Sequence, residues 1–562
     1  MKWIKLFLLW ISKLYAMRKN VSDGDLSMKV IAGTYVVFFG MNLPKNKTAK
    51  FLGFAIKRKD HQTGETFWMK GMKTFSETDP NDSIGSDFSS RQHPFQTFQW
   101  ADYTVNPDKK YTYTIVALRG TPTKLTESET VNITITTESV DLNTHGIFFN
   151  RGAAASQEYA RRFQNKKPNV VGTAAYTWLS RGLYEALTNF LTQANGDSYE
   201  LLGAVYEFNW LPVLQTIKDI SATGAKVKIV YHAYDDATTA VTEAAIKNAG
   251  IKKLCEPRKH TLKIDHNKFF VLKKDGKPIQ VWTGSTNISE NGIFGHSNVG
   301  HIIRDKIIAQ AYADYWMQLH KDLDGPAMKA WLKKNNPAPP TGTYANMFPV
   351  FSPHTGKAVL EWYAALANAA QNALFMTFAF GMNAEFLKVY DQNDSILRMA
   401  LMDKKGMNDK AKAKIDKVRR LPNCIVAVGN NIKINAFDRW VIEIYSIIKG
   451  PRVPFIHNKF MLVDPLGNNP LVLTGSANFS IASTSTNDEN MIVIRNDKRV
   501  ADIFFGEYMR MYSHYAFRES LTFKPTNATN RSHLSADSSW VNDYYGNTGR
   551  SIRRKYFSGV DA

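Results

Sequence analysis

The chain contains two copies of one 24-residue segment, and this internal repeat constrains its fold more than any other feature. The first copy, HNKFFVLKKDGKPIQVWTGSTNIS, begins at His266, and the second, HNKFMLVDPLGNNPLVLTGSANFS, begins at His457. In both copies the Ser of a Gly-Ser pair lies 19 residues after the His, and the two histidines are 191 residues apart. A repeat at this spacing predicts that a whole unit of the fold occurs twice.

Strand and helix patterns alternate around both copies. Residues 200–208 (ELLGAVYEF) and 227–234 (VKIVYHAY) have the apolar character of buried strands, and a helical pattern lies between them. The same alternation of helical and strand-like patterns recurs over residues 359–403. Strands linked by a helix indicate parallel strands in an α/β sheet. We therefore expect two repeated α/β halves, at residues 140–335 and 344–523, with a Pro-rich linker between them.

The stretch before the first half has a β pattern. Short runs rich in β-branched and aromatic residues alternate with turn-forming residues, which predicts an all-β sandwich over residues 28–139. One run, PDKKYTYTIVAL at residues 107–118, resembles the penultimate strand of fibronectin type III domains. The predicted fold is therefore two pseudo-repeated α/β halves that share one active site, preceded by an all-β accessory domain.

The two ends of the chain carry weaker signals. Residues 1–27 include an uninterrupted apolar run of only six residues, 6–11, whereas a membrane span needs about 20 and a signal peptide about 7–15. A poor signal segment, an amphipathic surface helix and an upstream extension all stay open. A secreted or membrane-peripheral location is therefore an expectation that rests on this weak signal alone. Residues 524–562 form a C-terminal tail whose aromatic residues are candidate anchors.

The charge balance favours an anionic partner. Lys and Arg number 71 against 50 Asp and Glu, which gives a formal net charge of +21 and a pI near 9.5. Such a surface attracts nucleic acid, anionic lipid headgroups or acidic glycans, and charge alone does not choose among them. The two cysteines, Cys255 and Cys424, exclude a disulfide scaffold and lack the spacing of a metal-binding CxxC motif.

Each copy of the repeat gathers side chains that suit phosphodiester chemistry. His and Lys at positions i and i+2 of a strand point to the same face, which sets His266 beside Lys268 and His457 beside Lys459. Two copies that face each other would place both pairs around one cavity. One His can then attack phosphorus while the other protonates the leaving oxygen, and the lysines neutralise the developing charge. This chemistry needs no metal and no cofactor.

A Gly-Ser-x-Asn turn follows the second strand of each copy. The turns supply Ser285 and Asn287 in the first half, and Ser476 and Asn478 in the second. We predict that their hydroxyl and carboxamide groups hold the non-bridging oxygens of a substrate phosphate. A single His-x-Lys would fit any half-exposed strand, but the combination at fixed spacing in both copies indicates a functional site.

These motifs resemble those of the phospholipase D superfamily, in which HxKxxxxD is followed by GSxN. The second copy matches in full, with Asp464 at the motif Asp position, and the resemblance implies that Asp464 belongs to the catalytic set. Glu489 stands where members often carry a carboxylate that orients the catalytic His, here His457. The resemblance covers about residues 140–523 and implies phospholipase D-like α/β halves.

The first copy departs from the family pattern at two positions. Lys273 replaces the motif Asp, and Asn298 replaces the carboxylate. The motif Asp is usually structural in the family, so its loss need not abolish activity. Loss of the carboxylate behind His266 would make that imidazole less basic, which favours His457 as nucleophile. The family pattern instead implies His266 as nucleophile and His457 as acid/base, and we follow that assignment here.

The resemblance implies a hydrolase or transferase of phosphodiesters that works through a phospho-histidine intermediate. We expect a phospholipid substrate and a membrane surface as partner, since two halves in one chain are the common phospholipase D arrangement. A nuclease or other nucleic-acid phosphodiesterase is the alternative, which the net charge serves equally well. A non-catalytic protein that binds phosphate groups or membrane through a decayed first motif is a third reading. We expect a monomer, because one chain holds both halves.

Two other groups of polar residues invite a functional reading. His232, Asp235 and Asp236 follow a predicted strand at its carboxyl end, where the sites of α/β proteins lie, although an ordinary polar loop fits them better. The spacing of His296 and His301 suggests metal ligands, but no carboxylate or cysteine accompanies them. We therefore expect neither group to form a site of its own.

Overall fold

The structure is a computed structural model and describes residues 17–80, 87–234, 236–341, 345–406, 408–429, 455–520 and 533–560. Within these ranges the chain forms an N-terminal unit of strands, two α/β halves and a C-terminal helical segment. The apolar run at residues 6–11 and Asp235 lie outside the described residues.

The N-terminal unit consists of two four-stranded antiparallel sheets. Its strands are β1 (Arg18–Asp23), β2 (Leu26–Ala32), β3 (Val37–Asn42), β4 (Phe51–Asp60), β5 (Thr66–Trp68), β6 (Lys70–Gly71), β7 (Phe88–Ser89), β8 (Gln99–Asp102), β9 (Lys110–Thr121) and β10 (Lys124–Thr136). The sheet orders are β1-β2-β3-β8 and β10-β9-β4-β5, and β6 pairs with β7. The two sheets share one apolar cluster, in which the rings of Phe39 and Tyr113 pack 4.8 Å apart.

The first strand of this unit lies before the predicted domain boundary. β1 pairs with β2, with Arg18 opposite Ile31 and Asp23 opposite Leu26. The boundary predicted at residue 28 is therefore too late, because residues 18–27 belong to the sheet. The strand β1 lies at the edge of its sheet and buries none of its residues. Its sequence, RKNVSD, therefore lacks the alternation of apolar and polar residues that usually predicts a strand.

Each α/β half contains one sheet, and the two sheets have the same topology. The first half has β11 (Asp141–Leu142), β12 (His145–Phe149), β13 (Tyr199–Val205), β14 (Lys226–His232), β15 (Cys255–Arg258), β16 (Lys268–Lys274), β17 (Lys277–Gly284) and β18 (Val299–Ile303). The second half has β19 (Met347–Ser352), β20 (Ala373–Phe378), β21 (Leu397–Met402), β22 (Cys424–Val428), β23 (Phe460–Val463), β24 (Leu471–Gly475) and β25 (Glu489–Arg495). The orders, β11-β12-β18-β17-β16-β13-β14-β15 and β19-β25-β24-β23-β20-β21-β22, match strand for strand apart from β11. This agreement confirms the internal repeat.

The sheets are mixed rather than wholly parallel. β13, β14 and β15 run parallel, as do β20, β21 and β22, which is what the strand-helix-strand pattern predicts. β16 is antiparallel to both of its neighbours, β13 and β17, and a two-residue turn joins it directly to β17. The turn residues Asp275 and Gly276 have φ values of 49° and 76°, the left-handed conformations that a type I′ hairpin turn requires.

Helices accompany the strands of both sheets. The first half contains Ser156–Phe163, Pro168–Val171, Thr173–Ser180, Leu183–Leu191, Leu211–Ala222, Ala237–Ala249, Lys306–His320 and Gly325–Asn335. The second half contains Ala358–Asn368, Ala384–Tyr390, Asp409–Val418, Ile481–Ser485 and Lys498–Ser520, and Gly549–Ser558 follows near the C-terminus. Shorter helical turns span Lys45–Lys47, Gly152–Ala155, Lys252–Leu254, Asn291–Gly295 and Ser538–Tyr544. None of the described helices combines the length and apolar character needed to cross a bilayer.

The largest apolar cluster lies between the two sheets. The helices Lys306–His320 and Lys498–Ser520 contribute to it, and so do Phe269 of β16 and Phe460 of β23. Burial of such large apolar side chains is the main favourable term in holding the halves together. Because the halves share this core, the strands that carry the two motifs keep a fixed relation to each other.

The C-terminal segment packs against the N-terminal sheets. Trp540, Tyr544 and Tyr545, the candidate anchors of the tail, join the apolar cluster of the N-terminal unit. The helix Gly549–Ser558 approaches β3 so closely that a Cβ at Gly40 would lie 2.0 Å from the carbonyl oxygen of Phe557. These contacts make the aromatic residues of the tail structural anchors.

Candidate active site

The two motif histidines lie at the junction of the halves. His266 is two residues before β16, and His457 is three residues before β23. Short parallel β-bridges connect the halves at this point. Through them the backbone N–H of His266 donates to the carbonyl oxygen of Asp488 (2.9 Å), and that of His457 donates to the carbonyl oxygen of Ser297 (3.2 Å). Each histidine is therefore positioned by the backbone of the other half.

Each imidazole is also hydrogen-bonded to a side chain of the other half. Nδ1 of His266 lies 2.8 Å from Oε2 of Glu489, and Nδ1 of His457 lies 2.9 Å from Oδ1 of Asn298. The prediction that Glu489 orients His457 is therefore wrong, because Glu489 contacts His266. The β-bridges cause this exchange, since each ends one residue before Glu489 or Asn298.

The serines of the two Gly-Ser-x-Asn turns lie behind these pairs. Ser476 Oγ donates to Oε2 of Glu489 (2.7 Å), and Ser285 Oγ donates to Oδ1 of Asn298 (2.8 Å). Each hydroxyl therefore fixes the group that holds the histidine of the other half. The phosphate-binding role predicted for both serines stays a prediction, and these contacts already engage their hydroxyl hydrogens.

The asparagines of the same turns have a different environment. Oδ1 of Asn287 and Oδ1 of Asn478 are buried, and neither has a hydrogen-bond partner among the described residues. Buried polar atoms are usually hydrogen-bonded, so an oxygen without a donor at the equivalent position of both halves requires an explanation. Because the two ends of a carboxamide are interchangeable by rotation, either amide could offer an acceptor or a donor to a substrate.

Burial favours the neutral form of both histidines. Desolvation lowers the pKa of His266 to about 4, although the carboxylate of Glu489 opposes this shift. Desolvation also lowers the pKa of His457 well below its usual value, and the charge of Lys459 adds to the effect. Because an oxygen faces each Nδ1, the hydrogen of the neutral ring lies there and Nε2 keeps its lone pair. Each half therefore presents one imidazole nitrogen that can act as nucleophile or base.

The two motif lysines form a buried cationic pair. Nζ of Lys268 donates to the carbonyl oxygen of His266 (2.6 Å), and Nζ of Lys459 donates to that of His457 (2.5 Å). Burial lowers the pKa of Lys268 to about 8, and burial together with the charge of Lys268 lowers the pKa of Lys459 further below its usual value. A desolvated place in which the charge of one ammonium group lowers the pKa of the other favours an anionic ligand.

Two residues at the end of β13 belong to this site, and the sequence analysis missed both. Glu207 is buried, accepts a hydrogen bond from Ser289 Oγ (2.8 Å), and its charge raises the pKa of both motif lysines. The ring of Tyr206 lies 4.9 Å from that of His266 and 5.1 Å from Nζ of Lys268. Their position at the carboxyl end of a parallel strand was the available signal.

A further pair of equivalent residues holds the loops that carry the histidines. Nδ1 of His232, at the end of β14, accepts a hydrogen bond from the backbone N–H of Asp265 (3.2 Å). Asp403, one residue after β21, accepts one from the backbone N–H of Ile456 (3.1 Å). Asp265 and Ile456 directly precede the two motif histidines. His232 is thus a positioning residue, whereas the sequence favoured an ordinary polar loop.

Asp464 lies at the far end of β23 from His457. Its carboxylate accepts hydrogen bonds from the backbone N–H groups of residues 371, 372 and 373, at 2.7–2.9 Å. It therefore anchors the start of β20, and the catalytic role implied for it is not supported by its contacts. In the first half Lys273 takes this place and forms an ion pair with Glu200.

The histidines that suggested a metal site do not come together. The ring of His296 lies 5.4 Å from that of His457, whereas His301 is hydrogen-bonded to His145 (2.9 Å) within the neighbouring strands β18 and β12. In the part of the chain that the structure describes, no group of three or more His, Cys, Asp or Glu side chains has the arrangement of a metal site.

Comparison with known families identifies the two halves. A family profile described as "Cardiolipin synthase, PLD-like domain" matches residues 187–320 and 364–510, which together make up half of the chain. The chain belongs to the phospholipase D-like family. Each matched region of this phospholipase D-like protein contains one His-x-Lys and one Gly-Ser-x-Asn motif. A search of curated proteins finds no match.

Several solved structures are similar to this phospholipase D-like chain. Phosphatidylserine synthase of Haemophilus influenzae Rd KW20 is 12% identical over 61% of this chain and 88% of its own, with a TM-score of 0.41. Nuc of Salmonella typhimurium, a phospholipase D family member, is 16% identical over 30% of this chain and 94% of its own, with a TM-score of 0.22. Polyphosphate kinase of Porphyromonas gingivalis is 10% identical over 55% of this chain, with a TM-score of 0.37, and this chain spans only 43% of the kinase. At such low identities the likeness says nothing of the substrate.

Proposed function

We propose that the protein is a metal-independent phosphodiester hydrolase or transferase that acts on phospholipids through a phospho-histidine intermediate. The observation that carries this proposal is the pair of contacts across the halves, His266 with Glu489 and His457 with Asn298. They leave two Nε2 atoms, one from each half, at one anion-favouring site. This order in both halves argues against the reading in which the first motif has decayed and the protein only binds.

In the first step, Nε2 of His266 attacks phosphorus. A P–N bond forms while the P–O bond to the leaving group breaks, and His457, protonated at Nε2, gives its proton to the leaving oxygen. Glu489 stabilises the positive charge that forms on His266, which is why we assign the nucleophile to this residue. Burial and neighbouring cations lower the pKa of His457, and the negative charge of a bound phosphodiester would oppose both effects and raise that pKa.

In the second step, His457 acts as a base. It takes a proton from water or from an alcohol, whose oxygen attacks phosphorus as the P–N bond to His266 breaks. Water as acceptor makes the enzyme a hydrolase, and an alcohol makes it a transferase or synthase. Lys268 and Lys459 neutralise the phosphoryl charge in both steps, and we assign the amides of Asn287 and Asn478 to the phosphate oxygens.

Phospholipid is the substrate class we favour, because two halves in one chain are the common arrangement among phospholipases D. A nucleic-acid phosphodiesterase is the second candidate, and the net charge of +21 favours it. The two differ in salt dependence, since binding of long nucleic acid through many phosphates weakens steeply as salt rises.

The N-terminal sheets are proposed to be an accessory module of fibronectin type III type. The run that carries the resemblance, residues 107–118, enters β9 at residue 110, and β9 is the second strand of a four-stranded sheet. A monomer is proposed to be sufficient for activity, since a single chain supplies both members of each histidine pair.

The proposal is tested by incubating the full-length protein with EDTA and two substrates in parallel. One is a vesicle of phospholipid with a fluorescent headgroup, and the other is labelled single- and double-stranded DNA. The His457→Ala variant serves as control. We expect headgroup release that the variant lacks. DNA cleavage without lipid cleavage would overturn the proposed substrate, and no cleavage of either would contradict the proposed activity.

A further inference from the structure

We infer that the loops around the active-site mouth form a surface that docks onto an anionic phospholipid bilayer. This inference rests on the proposed phospholipid substrate. Its first support is a group of exposed apolar side chains. Such a group is unfavourable in water and commonly marks an interaction surface. We call the set of five described below the rim.

Half of the large apolar side chains that are exposed among the described residues belong to the rim. Ten large apolar side chains are exposed in the described ranges, and five of them follow strands that end at the active site. The five are Leu211 (46% exposed), Tyr234 (49%), Leu262 (43%), Phe380 (41%) and Ile481 (49%). Single exposed apolar residues need no explanation, but five that follow strands ending at one site indicate a contact surface.

The position of each rim residue follows from the sheets. Leu211 begins the helix after β13, and Phe380 is two residues after β20, so both lie at the strand ends that flank the motif lysines. Ile481 begins the helix after the Gly-Ser-x-Asn turn of the second half, and Leu262 lies four residues before His266. The rim residues therefore approach the site from both halves.

Ring contacts connect the remaining rim residue to the catalytic histidine. The ring of Tyr234 stacks on that of His232, with centroids 6.3 Å apart. His232 lies 5.2 Å from Tyr206, whose ring is 4.9 Å from His266. Tyr234 is thus the exposed end of a row of rings that begins at the nucleophile.

Cationic side chains accompany the rim. Lys259 and Lys263 are exposed on either side of Leu262. On the other half, a Cβ at Gly381, next to Phe380, would lie 3.7 Å from the backbone of Lys404. Lysines near the surface of an anionic leaflet strengthen binding to that leaflet. Apolar residues flanked by lysines match the interface of such a leaflet, where apolar groups enter the acyl boundary and cations meet headgroups.

The composition of the rim favours a bilayer over nucleic acid. Binding of single strands uses aromatic rings on which bases stack, together with a cationic groove. Three of the five rim residues are Leu or Ile, which offer apolar volume but no ring for stacking. An anionic bilayer is therefore the occupant to which we assign this surface.

The test compares two double variants made in the His457→Ala background, so that no lipid is cleaved during binding. The rim variant is Phe380→Ser with Ile481→Ser. The control is Leu142→Ser with Ile307→Ser, two exposed apolar residues (45% and 80%) near the ends of β11 and β18 that lie away from the motifs. Binding is measured by flotation with vesicles of phosphatidylglycerol and phosphatidylcholine, and by titration with single-stranded DNA.

We expect the rim variant to bind phosphatidylglycerol vesicles at least about tenfold more weakly than the control, with DNA binding unchanged. Equal vesicle binding by the two variants would overturn the docking surface, and so would a rim effect on DNA as large as that on vesicles. With His457 restored, both variants should cleave a short-chain phospholipid below its micelle concentration equally well. Failure of even the unmodified protein to cleave this soluble lipid would refute the proposed substrate separately from the rim.

Discussion

The two halves share one sheet topology, but their matching positions carry side chains of different chemistry and exposure. Two residues beyond the end of β13 the first half places the buried Glu207, whereas two residues beyond the end of β20 the second half places the exposed Phe380. Behind the histidines, the second half supplies the carboxylate of Glu489 and the first supplies the amide of Asn298. The repeated fold sets where groups lie, and the sequence of each half sets what each group does.

This difference is the basis on which we propose separate roles for the two histidines. In the proposed mechanism a carboxylate stabilises positive charge on the imidazole that becomes phosphorylated, so we assign the nucleophile to His266, which Glu489 contacts. A neutral amide orients His457 without adding a charge that would hold its proton, which suits a residue that gives and takes one proton per cycle. The following substitutions test this division, from the largest expected effect to the smallest.

Replacement of either histidine by Ala should give the largest loss. We expect kcat on phospholipid to fall on the order of 10⁴-fold or more in both variants, because nucleophile and acid/base act as a unit. With p-nitrophenyl phosphocholine, whose leaving group needs no proton, His457→Ala should still release one equivalent of nitrophenolate in a burst. His266→Ala should release none in stopped-flow measurements. A burst in His266→Ala would reverse the assignment.

Loss of the carboxylate should have the next largest effect. Glu489→Gln is expected to lower kcat on the order of 10²-fold, since it removes the charge that supports His266. Because Glu489 raises the pKa of His266, its removal lowers that pKa, and the acid limb of the kcat/KM profile should move to lower pH. The matched variant Asn298→Ala should cost about tenfold and leave this limb in place. An acid limb that moves only in Asn298→Ala would contradict the pairing.

Glu207→Gln should have a smaller effect with a distinct pH signature. Glu207 raises the pKa of Lys268 and Lys459, so without it both lysines lose their protons at lower pH. We expect the alkaline limb of the kcat/KM profile to move to lower pH, with a severalfold loss at neutral pH. Glu200→Gln, the same change at the far end of β13, is the control. An unchanged alkaline limb in Glu207→Gln would exclude this residue from the site.

Substitution of the motif Asp, Asp464, should lower the stability of the protein more than substitution of Lys273, its counterpart in the first half. Neither substitution should change activity much. Asp464→Ala removes the acceptor of three backbone N–H groups, which we expect to cost about 1–3 kcal/mol of stability. Lys273→Ala breaks a partly exposed ion pair, worth about 0–1 kcal/mol. Thermal melting should therefore show the larger shift in Asp464→Ala, with kcat near normal in both folded variants. A large loss of kcat in Asp464→Ala at unchanged melting temperature would restore a catalytic role.

The sequence predicted the repeated fold because its signal is local. Each half carries its strands, its His-x-Lys and its Gly-Ser-x-Asn within one contiguous stretch, and the equal spacing in both copies shows that the unit recurs. The exchange of Glu489 and Asn298 between the halves could not be predicted in this way. It depends on β-bridges between segments that are 223 and 159 residues apart in sequence, which no pattern within one half records.

The other differences between the sequence predictions and the structure also have physical causes. Glu207 lies at the end of an apolar run that reads as a buried strand, so its acidic side chain carries no motif of its own. Asp464 matches the family motif, but the motif spacing does not predict from which backbone N–H groups its carboxylate accepts hydrogen bonds. β1 escaped prediction because an edge strand without buried residues has no apolar alternation.

The most direct measurement is the position of the covalent phosphoryl group on the enzyme. The His457→Ala variant, mixed with p-nitrophenyl phosphocholine and quenched in alkali within the burst, should accumulate the intermediate, because it lacks the base that activates water. Digestion and mass spectrometry should then place a phosphocholine adduct on His266 and on no other residue. An adduct on another residue, or a burst without any adduct on His266, would contradict a division of labour in which the carboxylate of one half supports the nucleophile of the other.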